Sequence, residues 1–362
     1  MVFAIDNEAK RVLPTTWGDF PLAAFIKHQP EDFQVREELG FEPEGSGEHL
    51  LVKVRKSELN TIEVAASLAH HAEVRPGEVS YSGLKDRNAL TEQWFSIWLG
   101  KRPDPDWTIF NRPNCTVITA SRHRRKLRRG SHKGNHFRII LRQATGDFET
   151  AQSRFNQITE RGIPNYFGEQ RFGHRRKNLF RAEAMFVGRN KIRGRYQRGL
   201  VLSAARSWLF NRVLGERVER GSWNRALEGE VVMLDGSRSV FPTEGDDATI
   251  AKRIAALDIH PTGPLCGRGI PRTTRLAFQT EESILSDLTD WRRALEETGL
   301  RAERRALRIR PRNPGWERDK SGDPVVEFTL GRGEYATSLL REIIGEGPPS
   351  DRNRASDELH SL

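Results

Sequence analysis

The chain has 362 residues, which is longer than one simple core usually organises. Of these residues 36% are hydrophobic, enough for sizeable cores, and 30% are charged. Lys and Arg total 59 against 49 Asp and Glu, so the net charge is +10 and a polyanionic partner is favoured. The charge alone does not decide whether that partner is RNA, DNA or an anionic membrane surface. No segment approaches the ~20 apolar residues of a membrane span, and the N-terminus lacks a secretion signal's apolar block. We therefore expect a soluble cytoplasmic protein.

The cysteines and histidines give no sign of a disulfide framework or a metal site. Cys115 and Cys266 lie far apart, and neither belongs to a Cys-x-x-Cys pair. His70 and His71 are adjacent, so they point to different sides of a helix. We expect reduced, buried thiols and no metal ligands.

The first predicted elements are a strand and a helix. Residues 49–55 alternate in polarity and predict a strand with one apolar face. Asn60 with Glu63 three residues later predicts a capped helix start. The apolar stripe predicted for this helix consists of Ile62, Ala65, Ala66 and Ala69.

A charged turn follows this helix, just before a second predicted strand at residues 92–98. In it Asp86 stands between Lys85 and Arg87, and nearby cations favour the ionised carboxylate that a nucleophile or base requires. The same turn is also typical of a solvated surface ion pair. Taken locally, the surface interpretation is the better supported, although no other catalytic motif competes with Asp86.

Residues 122–135 form the most basic run of the chain and contain no acid. A solvated loop would explain the run, but unopposed cations repel one another unless an anion is bound. We therefore favour a loop that binds the phosphates of a nucleic-acid backbone. Its predicted phosphate-binding residues are Arg122, Arg124, Arg125, Lys126, Arg128, Arg129 and Lys133.

An amide and an aromatic ring open the next predicted strand, residues 136–142. Asn135 and Phe137 could pair with and stack on an extracted base. Phe33 and Tyr335 could stack in the same way. For each ring taken alone, burial in a core is the better supported interpretation.

In the remaining chain the predicted secondary structure changes twice, from strands to helices and back to strands. A helix is predicted from Phe148 to a stop at Gly162, and residues 176–301 indicate helices joined by Gly- and Pro-rich loops, including residues 260–264. Strand patterns return at 306–309 and 326–330, before a helix containing residues 339–344. Residues 164–173 form a cluster of aromatic residues and glycines, a pattern that favours a structural turn over a ligand site. These patterns predict a mixed sheet interrupted by an inserted helical unit.

Several motifs together resemble the TruD family of tRNA pseudouridine synthases along nearly the whole chain. The resemblance rests on Glu-Asp-Phe at 31–33 and Gly-Leu-Lys-Asp-Arg at 83–87, and on Gly-Asn-His-Phe at 134–137. It continues through Asn-Tyr-Phe-Gly-Glu-Gln-Arg-Phe-Gly at 165–173 and Ala-Thr-Ser at 336–338. Tyr335 departs from the family, where we associate a phenylalanine with this position.

The resemblance implies isomerisation of the uridine at position thirteen of tRNA to pseudouridine, without a cofactor and with Asp86 as the essential aspartate. It implies an α/β pseudouridine-synthase domain with a mixed, largely antiparallel sheet and an inserted α/β TRUD domain. The expected boundaries are 1–160 and 305–345 for the catalytic domain, 161–304 for the insertion and 346–362 for a mobile tail. The expected protein is a monomer. Its expected substrate-binding residues are Lys27, Phe33, Lys85, Arg87, Asn135, Phe137 and Tyr335.

Two other functions remain open from the residues alone. A catalytically silent RNA-binding protein would also carry the basic loop, with Asp86 merely paired to Arg87. A metal-dependent nuclease is less favoured, because it requires clustered carboxylates and only Glu92 lies near Asp86 in sequence.

Overall fold

The computed structural model describes residues 12–243 and 247–346, and the chain divides into two compact units. Among the described residues, the sheet unit consists of 21–152, 311–333 and 344–346. The described part of the helical unit consists of 12–20, 153–243, 247–310 and 334–343. The domain boundaries expected at residues 161, 304 and 345 stay predictions. The predicted mobile tail lies, beyond residue 346, outside the described residues.

Strands dominate the sheet unit. In chain order they are β1 (Leu22–Phe25), β2 (Phe33–Glu38), β3 (His49–Lys56), β4 (Val79–Tyr81), β5 (Leu90–Trp98), β6 (Cys115–His123), β7 (Gly134–Ile140), β8 (Arg142–Gly146), β15 (Arg312–Arg318), β16 (Pro324–Gly331) and β17 (Ile344–Glu346). The largest sheet has the order β15-β16-β7-β2-β5-β3-β6, with β4 paired to β5. Strands β2 and β5 pair in parallel, and the other pairs of this sheet are antiparallel. The predicted fold class, a mixed α/β protein with a largely antiparallel sheet, is confirmed.

Helix α1 (Thr61–His71) begins as predicted, because the Asn60 backbone N–H donates to the Glu63 carboxylate at 2.7 Å. Its predicted apolar stripe is wrong, since Ile62 is 63% exposed and Ala66 is exposed. The helix buries a face that is shifted by one residue toward its N-terminus. That face consists of Thr61, Val64, Ala65, Leu68 and Ala69.

The helical unit is built from helices and a small antiparallel sheet. Its helices are α2 (Phe148–Arg161, which starts in the sheet unit), α3 (Lys177–Phe186), α4 (Arg195–Glu219), α5 (Ala248–Ala255), α6 (Arg275–Leu285), α7 (Thr289–Glu297) and α8 (Ala336–Leu340). Its strands are β9 (Ile163–Pro164), β10 (Val231–Leu234), β11 (Val240–Pro242), β12 (Ile259–Leu265), β13 (Glu303–Ala306) and β14 (Arg308–Ile309). Helix α2 ends at the predicted stop, where Gly162 has a φ of +79°.

Two predicted elements of this region are wrong for reasons of tertiary pairing. The predicted loop at residues 260–264 is the interior of β12, which β10 pairs over 259–261 and β13 over 262–265. Each proline there has a ladder partner on one side only, and so its missing N–H is tolerated. The last predicted helix stops at Leu340, because Ile344 pairs with Leu22 as part of a sheet.

The aromatic and glycine cluster at residues 164–173 is structural, as its pattern indicated. Tyr166 and Phe172 are 1% exposed within the core around α4. The Asn211 side chain donates to the Phe167 carbonyl and accepts from its N–H, both at 2.9 Å. This side chain therefore fixes the backbone of the cluster on the long helix.

Both cysteines are free and buried, as expected, and burial raises the pKa of each thiol to about 11. Of the helices that the structure describes, none combines the length and apolar content that crossing a bilayer would need. In the described ranges, no three His, Cys, Asp or Glu side chains come together in a group that could hold a metal ion.

Candidate active site

Asp86 lies on the loop between β4 and β5 of the sheet unit, and its side chain is 42% exposed. The prediction placed it between a helix and a strand, and the short strand β4 was missed. Gln93 and Thr61, both buried, hold the loop from below. Gln93 donates to the Gly83 carbonyl at 2.6 Å, and the Thr61 hydroxyl accepts from the Lys85 N–H at 2.9 Å. The carboxylate is thus presented to solvent on a loop fixed to the sheet.

The cations beside Asp86 in sequence do not hold its carboxylate, which corrects the prediction. The Lys85 ammonium turns inward to Glu37, with 2.5 Å between Nζ and Oε2 and side-chain exposures of 6% and 0%. Arg87 donates from Nε to the Glu58 carbonyl at 3.0 Å. Neighbours in a loop point in different directions, so sequence adjacency did not bring these charges together. Because it is buried and paired, Lys85 is not placed to bind a substrate.

Lys27 supplies the cation that contacts Asp86, through Nζ and Oδ2. Its backbone has a φ of +60°, a strained conformation for a residue with a side chain. The Lys27 ammonium also lies 4.4 Å from the centre of the Phe33 ring. The Asn88 N–H donates to the other carboxylate oxygen at 3.1 Å. Lys27, expected to bind substrate, is therefore the residue that links Asp86 to the predicted aromatic wall.

The charge state of Asp86 follows from these contacts. Partial burial alone would raise the pKa of Asp86, but the Lys27 hydrogen bond and charge, the Asn88 N–H and the Lys56 charge together lower it below its ordinary value. The carboxylate is therefore ionised at neutral pH. Such a group can attack a carbon, accept a proton or stabilise a positive sugar carbon.

Lys56 belongs to this site and was missed by the sequence reasoning. It is 1% exposed, and its ammonium donates to the backbone carbonyls of Asp86 at 2.9 Å and Leu59 at 2.7 Å. Burial lowers its pKa to about 8, against the attraction of Asp86. The sequence pattern of β3 could have identified Lys56, because it is the next residue in the series of alternate, buried positions Leu50, Val52 and Val54. The predicted strand ended one residue too early.

The aromatic rings predicted near the base form a buried group in the sheet unit. Phe33 and Phe137 are 6% and 7% exposed, with ring centres 6.1 Å apart in an edge contact. Phe137 also stacks on Phe328 at 5.4 Å. Burial was the interpretation favoured for each ring alone, and it is confirmed. Through Phe33, these rings connect to Lys27 and hence to Asp86.

Asn135 lies on β7, between Glu37 of β2 and Leu330 of β16. Its Oδ1 is buried, and among the described residues no group donates a hydrogen bond to it. A buried acceptor left unpaired is uncommon in folded proteins. Asn135 can therefore offer this oxygen to a ligand that carries an N–H group.

Tyr335 lies in the helical unit, so its predicted place beside Asp86 stays a prediction. Its ring contacts Phe167, with centres 6.3 Å apart at 60°. Its hydroxyl accepts from Arg171 at 2.7 Å. The hydroxyl that distinguishes this residue from a phenylalanine is thus used within the helical unit.

The basic run divides into cations that are paired and cations that are exposed. Arg122 donates to Asp104 at 2.5 Å and to the Gly100 carbonyl at 3.0 Å, with a side chain 16% exposed. Its expected role at a phosphate is therefore corrected to a structural one. Arg124 pairs with Glu44 at 3.2 Å. The exposed cations with no carboxylate partner in the described ranges are Arg125, Lys126, Arg128, Arg129 and Lys133.

This basic run is attached to the loop that carries Asp86. The Gly130 N–H donates to the Ser82 carbonyl at 2.7 Å, and the hydroxyls of Ser82 and Ser131 are 3.0 Å apart. The exposed cations therefore belong to a segment that is hydrogen-bonded directly to the Asp86 loop. Phosphates bound there would lie along an approach to the carboxylate.

Comparisons with known proteins identify relatives of this chain along nearly its whole length. The family model for tRNA pseudouridine synthase D (TruD) matches residues 17–200 and 195–343. The tRNA pseudouridine synthase D of Methylococcus capsulatus is 44% identical over 336 residues, covering 93% of this chain and 95% of the relative. That of Xanthomonas axonopodis pv. citri is 45% identical over 366 residues, covering 97% and 98%. A crystal structure described as TruD from Methanosarcina mazei shares the fold, with a TM-score of 0.75, 21% identity and coverage of 96% and 99%.

Sequence and fold thus indicate one class of protein, the pseudouridine synthases. The chain belongs to the tRNA pseudouridine synthase D (TruD) family. The resemblance drawn from the motifs is confirmed, and with it the interpretation of the chain as an isomerase.

Proposed function

We propose that this protein converts the uridine at position thirteen of tRNA to pseudouridine, with Asp86 acting at the ribose. The TruD family makes pseudouridine in tRNA, which fixes the class of reaction. The observation that carries the role of Asp86 is its contact with Lys27, which keeps an exposed carboxylate ionised beside Phe33. The silent RNA-binding alternative gives no reason for this arrangement.

The reaction is an isomerisation that needs no net reagent. The N1–C1′ bond breaks, the uracil turns while it is held, and C5 joins C1′; the C5 proton is lost and N1 gains one. Positive charge develops on the ribose, as it does in glycoside cleavage. An ionised Asp86 would stabilise that charge, attack C1′ or remove a sugar proton.

The base would be held by residues of the same unit. A flipped uridine costs a few kcal/mol to extract, and stacking worth about 1–3 kcal/mol per base offsets much of that cost. Phe33 and Phe137 back the site from the core and would meet a base only through the small exposed part of their rings, and Asn135 Oδ1 would accept from the uracil N3–H. The exposed cations of the basic run would bind neighbouring phosphates.

Treating an unmodified tRNA transcript with the protein tests this proposal. Pseudouridine is mapped by carbodiimide adduct formation and primer extension, and we expect one new stop, at position thirteen. A transcript with cytidine at that position should show no stop. Binding without any modification would support the silent RNA-binding protein, and cleavage abolished by a chelator would support a nuclease.

Replacing Lys27 by methionine is expected to shift the acid limb of the reaction rate to higher pH. Without the Lys27 hydrogen bond and charge, two of the causes that oppose burial are lost and the pKa of Asp86 rises, so less of the carboxylate is ionised in mild acid. Single-turnover rates across about pH 4 to 8 measure the shift. Lys27→Arg keeps a cation and should retain most of the wild-type profile. A Lys27→Met profile that matches wild type would contradict the role of Lys27.

A further inference from the structure

A cavity of about 840 Å³ in the sheet unit lies beside the basic run, and its lining includes neither Asp86 nor Lys27 nor Phe33. One wall is the basic run, contributing Arg125, Lys126 and Arg128, and another is the segment after β2, contributing Phe41 and Glu42. Ser131, which bonds to Ser82 before the Asp86 loop, also lines it. The predicted binding of phosphates by the basic run does not explain why the aromatic ring of Phe41 lies among these cations.

Phe41 is the aromatic wall of this cavity, and its ring is only partly covered. It stacks on His123 with ring centres 4.9 Å apart and an interplanar angle of 20°. His123 is 6% exposed, whereas Phe41 is 39% exposed. A large ring backed by a buried neighbour and open to solvent is a ready surface for a second planar group.

The two walls are fixed to each other through their backbones. Gly47 has a φ of +126°, and a Cβ there would lie 2.4 Å from the His123 carbonyl oxygen. The Gly45 N–H donates to the Arg122 carbonyl at 2.9 Å. Beneath the walls, Leu39 and Leu127 pack together in one buried cluster. The cavity is therefore a built feature of the fold.

Side chains of both charges line this cavity. Over the residues that the structure describes, Arg125, Lys126 and Arg128 have no carboxylate within ion-pair distance, so their positive charge is available to an anion. Glu42 and Glu44 follow Phe41 in sequence and also line the cavity, and Glu44 pairs with Arg124 at 3.2 Å. A ligand that fits has a planar group with hydrogen-bond donors at one end and an anion at the other.

We propose that this cavity binds an unpaired nucleotide of the RNA substrate, its base stacked on Phe41 and its phosphate held by Arg125 and Arg128. An amino group of the base would face Glu42. The inference rests on the proposed function for the identity of the RNA, and it adds a second nucleotide site beside the one for the flipped uridine. Because Ser131 is tied to Ser82, both sites belong to one RNA path.

Kinetics and binding with Phe41→Ala test the inference. Loss of one stacking contact typically weakens binding about 5- to 100-fold. We expect the Kd for a fluorescein-labelled tRNA transcript and the KM for pseudouridine formation to rise by about tenfold, while kcat changes little. Phe41→Trp should keep wild-type values because its ring can still stack. Phe180→Ala, at a ring 38% exposed in the helical unit, is the matched control and should have no effect.

The salt dependence of the Kd distinguishes the contribution of the Phe41 ring from that of the cations. Arg125→Gln with Arg128→Gln should flatten the plot of log Kd against log salt by about 0.7 per lost phosphate contact. Phe41→Ala should leave that slope unchanged. Wild-type Kd for Phe41→Ala, or equal losses for the Ala and Trp variants, would overturn the inference. Since a Kd can be measured whether or not the bound RNA is converted, a failure of the proposed reaction would show separately as absence of pseudouridine with wild-type protein.

Discussion

Asp86→Asn is expected to abolish pseudouridine formation, lowering the single-turnover rate by roughly 10⁴-fold or more, the scale found when a covalent catalytic group is removed. Asparagine has nearly the same shape but carries no charge, so it can neither attack C1′ nor stabilise a positive ribose. The Asp86 carboxylate is partly exposed and its loop is held by Gln93 and Thr61. The variant should therefore fold normally and bind tRNA with an affinity close to wild type.

The matched control is Asp106→Asn, at another exposed carboxylate of the sheet unit. Hydrogen bonds from Thr108 lower the pKa of Asp106, so it too is ionised at neutral pH. It lies on a different loop, and its loss should leave the rate within about twofold of wild type. Carbodiimide mapping after one turnover provides the measurement. Normal product from a folded Asp86→Asn protein would remove Asp86 from the mechanism.

Lys85→Met is expected to lower the free energy of unfolding by about 3–5 kcal/mol, the usual cost of breaking a buried ion pair. The substitution removes the only cation bonded to Glu37 among the described residues. Glu37 is 3% exposed, so its carboxylate would remain in the core without a counter-charge. Urea unfolding followed by circular dichroism measures the loss.

The loss should grow as the pH rises. Burial raises the pKa of Glu37, and the Lys85 charge and hydrogen bond only partly oppose that shift. A carboxyl whose folded-state pKa is raised favours folding fully below its unfolded pKa, and that contribution is lost as pH rises through the folded pKa. Without Lys85 the pKa rises further. Lys85→Met should therefore be nearer wild type in stability at about pH 5 than at about pH 8.

Two further variants isolate the buried charge. Lys85→Met combined with Glu37→Gln removes both charges, still leaves an acceptor for the Trp94 N–H, and should recover much of the lost stability. Arg124→Met breaks an exposed ion pair with Glu44 and should cost at most about 1 kcal/mol. A pH-independent loss that Glu37→Gln fails to relieve would show that Lys85 acts through packing alone.

Local patterns predicted much of the framework, and they drew attention to Asp86 and its loop. Alternation predicted β3 and β5, the Asn60 and Glu63 pair predicted the start of α1, and the family motifs singled out Asp86. The cytoplasmic location and the monomeric state stay predictions, because nothing in the fold bears on either. Periodicity succeeds here because burial of one face is a property of a short segment.

The sequence by itself determined that an acidic residue stands in a turn beside a basic run, and that the chain resembles TruD. Only the tertiary structure decided which cation holds that acid. Lys27 is 59 residues from Asp86, and Glu37 is 48 residues from Lys85. Strand order brings such residues together, whereas the backbone directions in a loop separate neighbours such as Lys85 and Asp86. Ion-pair partners therefore depend on long-range strand pairing, which the spacing of residues along the chain does not encode.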